Sequence, residues 1–333
     1  MKKLFVLLAF GVAAVAAPPG YKVIGKIKIG GTGGWDYLYV DSGARRAYVS
    51  HGTQTEVVDL DAEKGVGTIP ETQGVHGIAI ADDLGKGFIS NGRTNDVTVF
   101  DLKTLKETGR VKTGENPDAI IYDPASKHVF TFNGRSKDST VIDAKTGAVV
   151  TTITIGGKPE FAAVDGKGKL YVNNEDTAEL FEIDTKKNEV TKKIAMEGCK
   201  SPSGLAIDTK KHHLFAACGG SNTMAVVDPN AGKVLATPTI GAGTDGAAFE
   251  DGYAFSSNGR DGTITVVGET GGKYDVVETV KTQTSARTIA ADPKTHRLYL
   301  PAAEFGPPPP DKDGKKQRPQ AIPDSFCLVV VGK

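Results

Sequence analysis

The sequence predicts an all-β protein, a seven-bladed β-propeller, and three observations support this prediction. A short apolar segment that ends in Asp or Gly recurs along the chain, with spacings of 42, 42, 41, 44 and 40 residues between its first six copies. An aromatic residue occurs at the same place in each of seven aligned units. Gly accounts for 41 of 333 residues and Trp for 1, which favours tight turns over long helices. Repeats of about 40–45 residues with several short strands each are typical of propeller blades, because one such sheet cannot bury both faces without neighbours.

The first residues have the pattern of a secretory signal peptide. Lys2 and Lys3 precede an uncharged apolar run, and Ala14-Val15-Ala16 supplies a small-x-small cleavage site. We therefore expect a signal peptide over residues 1–16 and a periplasmic or secreted mature chain; a buried N-terminal helix is the alternative. The apolar run is shorter than the ~20 residues that a spanning helix needs, so we expect no membrane span.

Each unit is predicted to contain four strands: an inner strand, a second strand with the aromatic residue, a third strand with the V-x-D pattern, and an outer strand. Two residues before the aromatic residue, the side chain is basic in six of the seven units, as in a strand with one buried face. The aromatic residues are Tyr48, Phe88, Phe130, Tyr171, Phe215, Phe255 and Tyr299.

The two ends of the chain are predicted to close the ring. The seventh unit ends in LVVVGK and has no outer strand of its own, whereas residues 22–29 have the outer-strand pattern and precede the first inner strand. We expect this segment to complete blade seven, which removes an open sheet edge. The mature chain, residues 17–333, is then one domain.

The repeated units resemble a known family. Inner strands followed by LYV or AYV, V-V-D and T-I-T-I-G-G segments, over residues 21–333, resemble the YVTN-repeat, YncE-like family of secreted seven-bladed propellers. The resemblance implies the fold. For function the resemblance implies two alternatives. The family includes binding and cell-surface proteins, and related propellers include metal-dependent lactonases and lyases.

Polar residues recur at the start of the inner strands, five or six residues before each strand ends. In a propeller these positions lie around one mouth of the central channel. We interpret them as a ligand-binding mouth, to which Trp35 and Glu304 are added because they lie beside it in sequence or at the base of an insertion. Four carboxylates held close together raise one another's pKa unless a cation compensates. The residues are Trp35, Asp36, His76, Asp118, Glu160, Ser203, Asp245, Arg287 and Glu304.

The same mouth is a candidate site for a divalent metal (Ca, Mg, Zn or Cu). Carboxylate oxygens from several blades suit Ca²⁺ or Mg²⁺, and histidine favours a transition metal. The candidate ligands are Asp118, Glu160, Asp245, His51 and His76. The structural alternative is that these polar groups hydrogen-bond to the adjacent blade.

His51 and His76 are the candidate catalytic residues. His51 occupies the last position of the second strand, where Asn91, Asn133 and Asn258 occur in other units, each followed by Gly-Arg. Asn-Gly is a hairpin signal, so we interpret these asparagines as turn formers. His51 occupies the same position but is not a turn former of this kind, so we interpret it as a functional residue.

Two further features lie near the mouth. Cys199 and Cys218 flank one predicted hairpin, and an oxidising compartment favours a disulfide between them over a metal pair. Residues 301–325 form an insertion that contains Gly306-Pro307-Pro308-Pro309-Pro310. This segment is predicted to emerge on the mouth side, where it covers the channel, engages a partner or remains a solvated loop.

The first functional hypothesis is a binding or interaction protein that holds a small-molecule, glycan or protein ligand at the mouth. The second is a metal-dependent enzyme of lactonase or lyase type; an electron-transfer partner subunit is a third. Lys and Arg number 40, as do Asp and Glu, which argues against a nucleic-acid partner. We expect a monomer.

Overall fold

Seven four-stranded antiparallel sheets surround a central channel, which confirms the predicted seven-bladed propeller. The computed structural model describes residues 18–311 and 316–333. The predicted signal peptide, residues 1–16, lies outside the described residues. Over residues 18–311 and 316–333, no helix combines the length and the hydropathy needed to cross a bilayer.

The strands follow the predicted order, from the inner strand at the channel to the outer strand at the rim. The first three blades comprise β2 (Leu38–Asp41), β3 (Arg46–His51), β4 (Gln54–Asp59) and β5 (Lys64–Ile69), then β6 (Val75–Ala81), β7 (Lys86–Asn91), β8 (Asp96–Asp101) and β9 (Glu107–Lys112), then β10 (Pro117–Asp123), β11 (His128–Asn133), β12 (Asp138–Asp143) and β13 (Val149–Thr154).

Blades four to six repeat this arrangement, and blade seven combines both ends of the chain. Their strands are β14 (Pro159–Val164), β15 (Lys169–Asn174), β16 (Glu179–Asp184) and β17 (Glu189–Ala195), then β18 (Pro202–Asp208), β19 (His213–Cys218), β20 (Thr223–Asp228) and β21 (Lys233–Ala236), then β22 (Thr244–Glu250), β23 (Tyr253–Asn258), β24 (Thr263–Thr270) and β25 (Lys273–Lys281), and finally β26 (Ala290–Asp292), β27 (Arg297–Ala302), β28 (Cys327–Gly332) and β1 (Lys22–Lys28).

The core lies between neighbouring blades. The seven aromatic residues that recur at the same place in the second strands are each at most 1% exposed. Phe88 of blade two, for example, packs in one cluster with Val129 and Ile142 of blade three. Each blade therefore depends on its neighbours to bury its apolar face.

The turn between the first and second strands ends in the same backbone conformation in every blade. In six of the seven blades an acidic side chain at the start of the turn accepts a backbone hydrogen bond, as Asp41 does from Ala44 at 2.8 Å. The last turn residue then adopts a left-handed backbone, which Gly adopts at no cost and other residues adopt under constraint. These residues are Arg45, Gly85, Lys127, Gly168, His212, Gly252 and His296.

The ring closes as the sequence predicts. Strand β1 pairs antiparallel with β28, with Lys22 opposite Gly332 and Lys28 opposite Cys327. Ile27 is 1% exposed and packs with residues of β28 in one core cluster.

The predicted disulfide between Cys199 and Cys218 is present, with a Cα–Cα distance of 5.4 Å. It joins the segment before β18 to the end of β19 at the mouth of blade five. The chain-entropy relation gives roughly 3 kcal/mol for a loop of this length. Cys327 is a free, buried thiol.

Candidate functional site

The starts of the inner strands are tied to one another across blade boundaries. The backbone N–H of Tyr37 donates to the carbonyl of His76 (3.2 Å), and Ser90 Oγ donates to the carbonyl of Asp118 (2.5 Å). Thr288 Oγ1 donates to the carbonyl of Asp36 (2.6 Å), which joins blade seven to blade one. These bonds fix the backbone from which the mouth side chains project.

Asp36, His76 and Asp118 converge on one point, and we call these three residues the donor cluster. His76 Nδ1 lies 2.6 Å from Asp36 Oδ2 and 3.5 Å from Asp118 Oδ1. One donor atom from each residue lies within 4.8 Å of the others. Asp118 is 9% exposed, and its Oδ1 accepts no hydrogen bond from the described residues. The cluster draws one side chain from each of blades one, two and three.

The donor cluster has perturbed proton affinities. Burial alone would lower the pKa of His76, but the hydrogen bond to Asp36 and the negative charges of Asp118 and Asp36 raise it to about 9. Burial, and then the charge of Asp36, raise the pKa of Asp118 above its ordinary value. In this arrangement His76 is therefore an imidazolium at neutral pH, and its Nδ1–H donates to Asp36.

Two more carboxylates of the mouth share a lysine. Lys158 Nζ forms ion pairs with Glu160 and, at 2.5 Å, with Glu175 Oε2. Burial and the nearby charge of Asp118 raise the pKa of Glu160 in spite of this contact. Burial opposes ionisation of Glu175 as well, but hydrogen bonds from Lys158 and Glu160 lower its pKa. Lys158 therefore balances part of the negative charge of this pair.

Arg287 neutralises the remaining acidic groups. Its guanidinium contacts Asp245 and lies 3.2 Å from Asp36 Oδ1. It also donates to the backbone carbonyl of Trp35 at 2.7 Å. The mouth is thus a network of paired charges, in which Arg287 and Lys158 compensate carboxylates.

A polar pocket of about 360 Å³, which we call the basin, opens beside the donor cluster. Its side chains come from blades one, two, three and seven. Glycines lie between them at positions where a larger side chain would not fit. A Cβ on Gly92 would lie 2.6 Å from His76 Nε2, and one on Gly74 would lie 2.6 Å from Arg93 Cγ. The side chains that line the basin are Trp35, Asp36, Val75, His76, Arg93, Asn116 and Arg287.

The central channel below the mouth is apolar. Its cavity of about 390 Å³ is lined by the inner strands of all seven blades, mainly by Ala, Ile, Val and aromatic residues. At its mouth end the rings of Tyr37 and Phe161 lie 4.7 Å apart. Burial, with the charges of Asp118 and Asp36, raises the pKa of the Tyr37 hydroxyl, so Tyr37 lies at the border of the charged and apolar regions.

His51 does not belong to the donor cluster. Its ring is 3% exposed and stacks on Phe326 with centroids 4.3 Å apart, while Nδ1 lies 3.3 Å from Glu56 Oε1. Gly31 and Gly33 also lie against the ring, since a Cβ at either position would come within 3.2 Å of a ring atom. These contacts bury the imidazole beneath the loop that precedes β2.

The other predicted mouth residues have separate positions. Ser203 is buried, and its hydroxyl donates to the carbonyl of Ala217 within blade five (3.4 Å). Trp35 is half-buried between Phe326 and Phe305, with ring centroids at 5.2 and 6.1 Å. Glu304 is exposed at the base of the insertion. The insertion therefore reaches the mouth through Phe305.

The asparagines that end the second strands stabilise turns, but not as two-residue Asn-Gly hairpins. Asn91 Nδ2 donates to Asp96 Oδ1 (2.9 Å) and Thr98 Oγ1 (2.8 Å) of the next strand. The turn has four residues, and its left-handed position is Asn95 rather than Gly92. Gly92 is required by the close approach of His76, not by backbone conformation.

Sequence reasoning did not assign Lys158, Glu175, Arg93 or Asn116 to the site. Lys158 directly precedes β14 and Asn116 directly precedes β10, so a wider window before the inner strands would have found both. Arg93 lies in a Gly-Arg turn that other blades share. Glu175 follows β15 directly, in the turn that faces the start of β14, and no repeated column marks it.

Comparisons with known proteins agree with the architecture. The family described as YNCE-like beta-propeller matches residues 72–291, more than half of the chain. Among solved structures, the chain is similar to Kuenenia stuttgartiensis hydrazine synthase, with a TM-score of 0.71 and 16% identity, over 81% of this chain and 92% of that one. At this identity the likeness shows the fold alone. No curated protein matches the sequence. The chain belongs to the YNCE-like β-propeller family.

Proposed function

We propose that this protein is a binding protein of the periplasm or the extracellular space that holds a small polar ligand in the basin. The observation that carries the proposal is the convergence of charged and hydrogen-bonding side chains from four blades on one pocket of about 360 Å³. Pockets of this size with a few convergent polar groups are typical ligand sites.

Two features support the extracytoplasmic location. The disulfide between Cys199 and Cys218 persists in oxidising compartments and is rare in reducing ones. The sequence before the described residues has the signal-peptide pattern.

The side chains that line the basin define the class of ligand. A carboxylate, an imidazolium, a guanidinium and an amide, from Asp36, His76, Arg287 and Asn116, line one pocket together with the indole of Trp35. A ligand that satisfies them carries both acceptors and donors, as amino acids, sugar acids and hydroxy acids do. The apolar channel lies below the charged layer and is not needed for this recognition.

Tryptophan fluorescence tests the proposal directly, because Trp35 is the single tryptophan of the chain and lines the basin. A panel of amino acids, sugars, sugar acids and hydroxy acids is titrated while the emission of Trp35 and the melting temperature are followed. We expect a ligand that shifts both, and whose affinity falls at least tenfold in His76→Ala and Asn116→Ala.

Arg260→Ala is a control substitution outside the basin. Arg260 follows an Asn-Gly pair at the position in blade six that Arg93 holds in blade two, and it does not line the basin. Its replacement should leave the affinity unchanged. A ligand whose affinity does not respond to His76→Ala and Asn116→Ala binds elsewhere, and that result would overturn the proposal.

A metal-dependent enzyme of lactonase or lyase type is the second candidate, favoured by the three donor atoms within 4.8 Å of one another. It predicts turnover of a lactone in the presence of Zn²⁺, Mn²⁺ or Ca²⁺ that a chelator abolishes. Activity that survives chelator, or that is unchanged in Asp118→Asn, would exclude this candidate.

A further inference from the structure

We propose that Asp36, His76 and Asp118 bind one divalent transition-metal ion at the edge of the basin, and that the ion forms part of the ligand-binding surface. The inference rests on the proposed function, because the ion and the ligand would share the same pocket. It differs from the sequence-based set of candidate ligands, since it adds Asp36 and excludes Glu160, Asp245 and His51.

The first argument is geometric. Three donor atoms, one from each of three blades, lie within 4.8 Å of one another. Donors that share an ion at about 2.0–2.2 Å lie roughly 3–4 Å apart. Small rotations of the three side chains would therefore bring the donor atoms to the separations that a bound ion requires, without moving the backbone.

The second argument is an unpartnered oxygen. Asp118 Oδ1 accepts no hydrogen bond from the described residues, and Asp118 is only 9% exposed. A buried acceptor without a partner is unfavourable. Ser90 donates to the backbone carbonyl of Asp118 and so fixes the backbone at this residue, and Oδ1 lies 3.5 Å from His76 Nδ1. A cation in the donor cluster would supply the missing partner.

The surrounding contacts leave these three donors available and occupy the other carboxylates. Arg287 contacts Asp36 through Oδ1, so Oδ2 remains directed at the cluster. Asp245 is engaged by Arg287, and Glu160 by Lys158. Contacts of this kind orient metal ligands in proteins.

The donor set selects the class of metal. Ca²⁺ takes six to eight oxygen ligands, which one imidazole and two carboxylates do not provide. Imidazole with carboxylate suits Zn²⁺, Mn²⁺ and other first-row ions. Three protein donors leave coordination positions for water or a ligand donor from the basin. The ion takes the place of the His76 Nδ1 proton, which is released to solvent.

Calorimetric titration of chelator-treated protein with ZnCl₂, MnCl₂ and CaCl₂ at pH 8 tests the inference. We expect one equivalent of Zn²⁺ or Mn²⁺ to bind, with Ca²⁺ at least tenfold weaker. Asp118→Asn and His76→Gln should each weaken binding at least tenfold, with melting temperatures measured to confirm that both variants fold. Co²⁺ should give visible absorption bands that are absent in His76→Gln.

His296→Gln is the control. His296 Nδ1 lies 2.8 Å from Glu250 Oε1 in a more exposed His–carboxylate pair, and its replacement should leave metal binding unchanged. No binding, equal affinity for Ca²⁺, or affinity that survives both Asp118→Asn and His76→Gln would overturn the inference.

The experiments distinguish failure of the proposed ligand function from failure of the metal inference. If an organic ligand changes Trp35 emission with the same affinity in chelator, and no metal binds, the basin is a ligand site and the metal inference is wrong. If Zn²⁺ or Mn²⁺ binds with the stated dependence but no ligand does, the metal inference stands and the proposed ligand function is wrong.

Discussion

At the scale of single residues, the mouth is not a uniform acidic ring, because each carboxylate has a different partner. Asp245 is paired with Arg287, and Glu160 shares Lys158 with a neighbouring glutamate. Asp118 differs from them, since one of its oxygens is buried and accepts no hydrogen bond from the described part of the chain. Because the other carboxylates are paired with cations, Asp118 is the carboxylate of the mouth whose chemistry is distinct.

Gly92→Ala should displace His76. The added Cβ would lie 2.6 Å from His76 Nε2 and 3.0 Å from Asn116 Oδ1, whereas Nδ1 of the same ring is held by Asp36 at 2.6 Å. We expect the hydrogen bond to Asp36 to break, with a loss of about 1–3 kcal/mol in the free energy of unfolding. Urea denaturation measures the loss, and histidine NMR signals report the displaced ring.

Gly134→Ala is the matched control in blade three. Gly134 occupies the equivalent place after β11, but a Cβ there would meet its nearest atoms at 3.6 Å, an ordinary contact. Its replacement should change stability by less than about 0.5 kcal/mol. Equal effects of the two substitutions would mean that backbone conformation, not the approach of His76, requires glycine at position 92.

Asp292 should make stability depend on acid pH. Burial alone would raise the pKa of Asp292, but hydrogen bonds from Ser42, Thr295 and Arg45 lower it to about 2. A carboxylate whose folded-state pKa is depressed stabilises the fold above its unfolded pKa of about 3.9, and this contribution is lost as the pH falls toward 2. We expect roughly 2–3 kcal/mol from this residue at neutral pH.

Comparison with Asp292→Asn isolates this effect from that of the other carboxylates. The difference in unfolding free energy between the wild-type protein and the variant should be constant above about pH 5 and should shrink between pH 4 and pH 2. Urea denaturation at successive pH values measures it. A difference that does not change over this range would show that the contacts of Asp292 with blade one do not depend on its charge.

At the scale of elements, closure of the ring depends on β1, whose two faces have different surroundings. Ile27 is 1% exposed and packs in the core cluster that contains Leu328 and Val330, whereas Ile24 is 42% exposed. The strand also covers the edge of β28, which would otherwise present unpaired backbone groups to solvent.

Deletion of residues 22–29 should destabilise the whole ring, because every blade depends on its neighbours for burial. We expect a large fall in melting temperature and concentration-dependent association through the exposed edge of β28. A synthetic peptide of residues 20–31, added in trans, should restore part of the loss. Full solubility with an unchanged melting temperature would contradict the role of β1 in closure.

Point substitutions in β1 separate packing from backbone pairing. Ile27→Ala should cost about 2–4 kcal/mol, as buried Ile to Ala substitutions commonly do. Ile24→Ala, on the exposed face of the same strand, should cost less than about 1 kcal/mol. Thermal unfolding of both variants checks the difference, and similar costs would mean that the side chains of β1 contribute little to closure.

At the scale of the whole molecule, the sequence predicts the ring better than the site. Blade number, strand order and closure follow from period and alternation, which are repeated seven times and depend on backbone and burial. The mouth column is also predictable, since Asp36, His76 and Asp118 hold equivalent places. Which of these side chains contact one another is not predictable, because that depends on the partners of two long side chains: Lys158 pairs with carboxylates of its own blade, whereas Arg287 pairs with carboxylates of both neighbouring blades.

A circular permutant tests whether the closed ring, rather than the native position of its ends, determines stability. Cutting between Gly271 and Gly272, an exposed turn between β24 and β25, makes β25 the new first strand and β24 the new last one. This places the new ends in blade six as the native ends lie in blade seven, with an N-terminal outer strand completing the final blade. A short glycine-serine linker joins residue 333 to residue 18, since Lys22 already lies opposite Gly332.

We expect the permutant to keep the native fold, because its four-stranded sheets and blade contacts are unchanged and chains with adjacent ends tolerate such relocation. Its melting temperature should lie within about 5 °C of the wild-type value, corresponding to roughly 3 kcal/mol for a domain of this size. Trp35 emission should match that of the wild-type protein, since the basin is built from blades one, two, three and seven. A permutant that is expanded, or that unfolds in two steps, would mean that pairing of β25 with β24 in blade six cannot replace the native closure by β1 and β28 in blade seven.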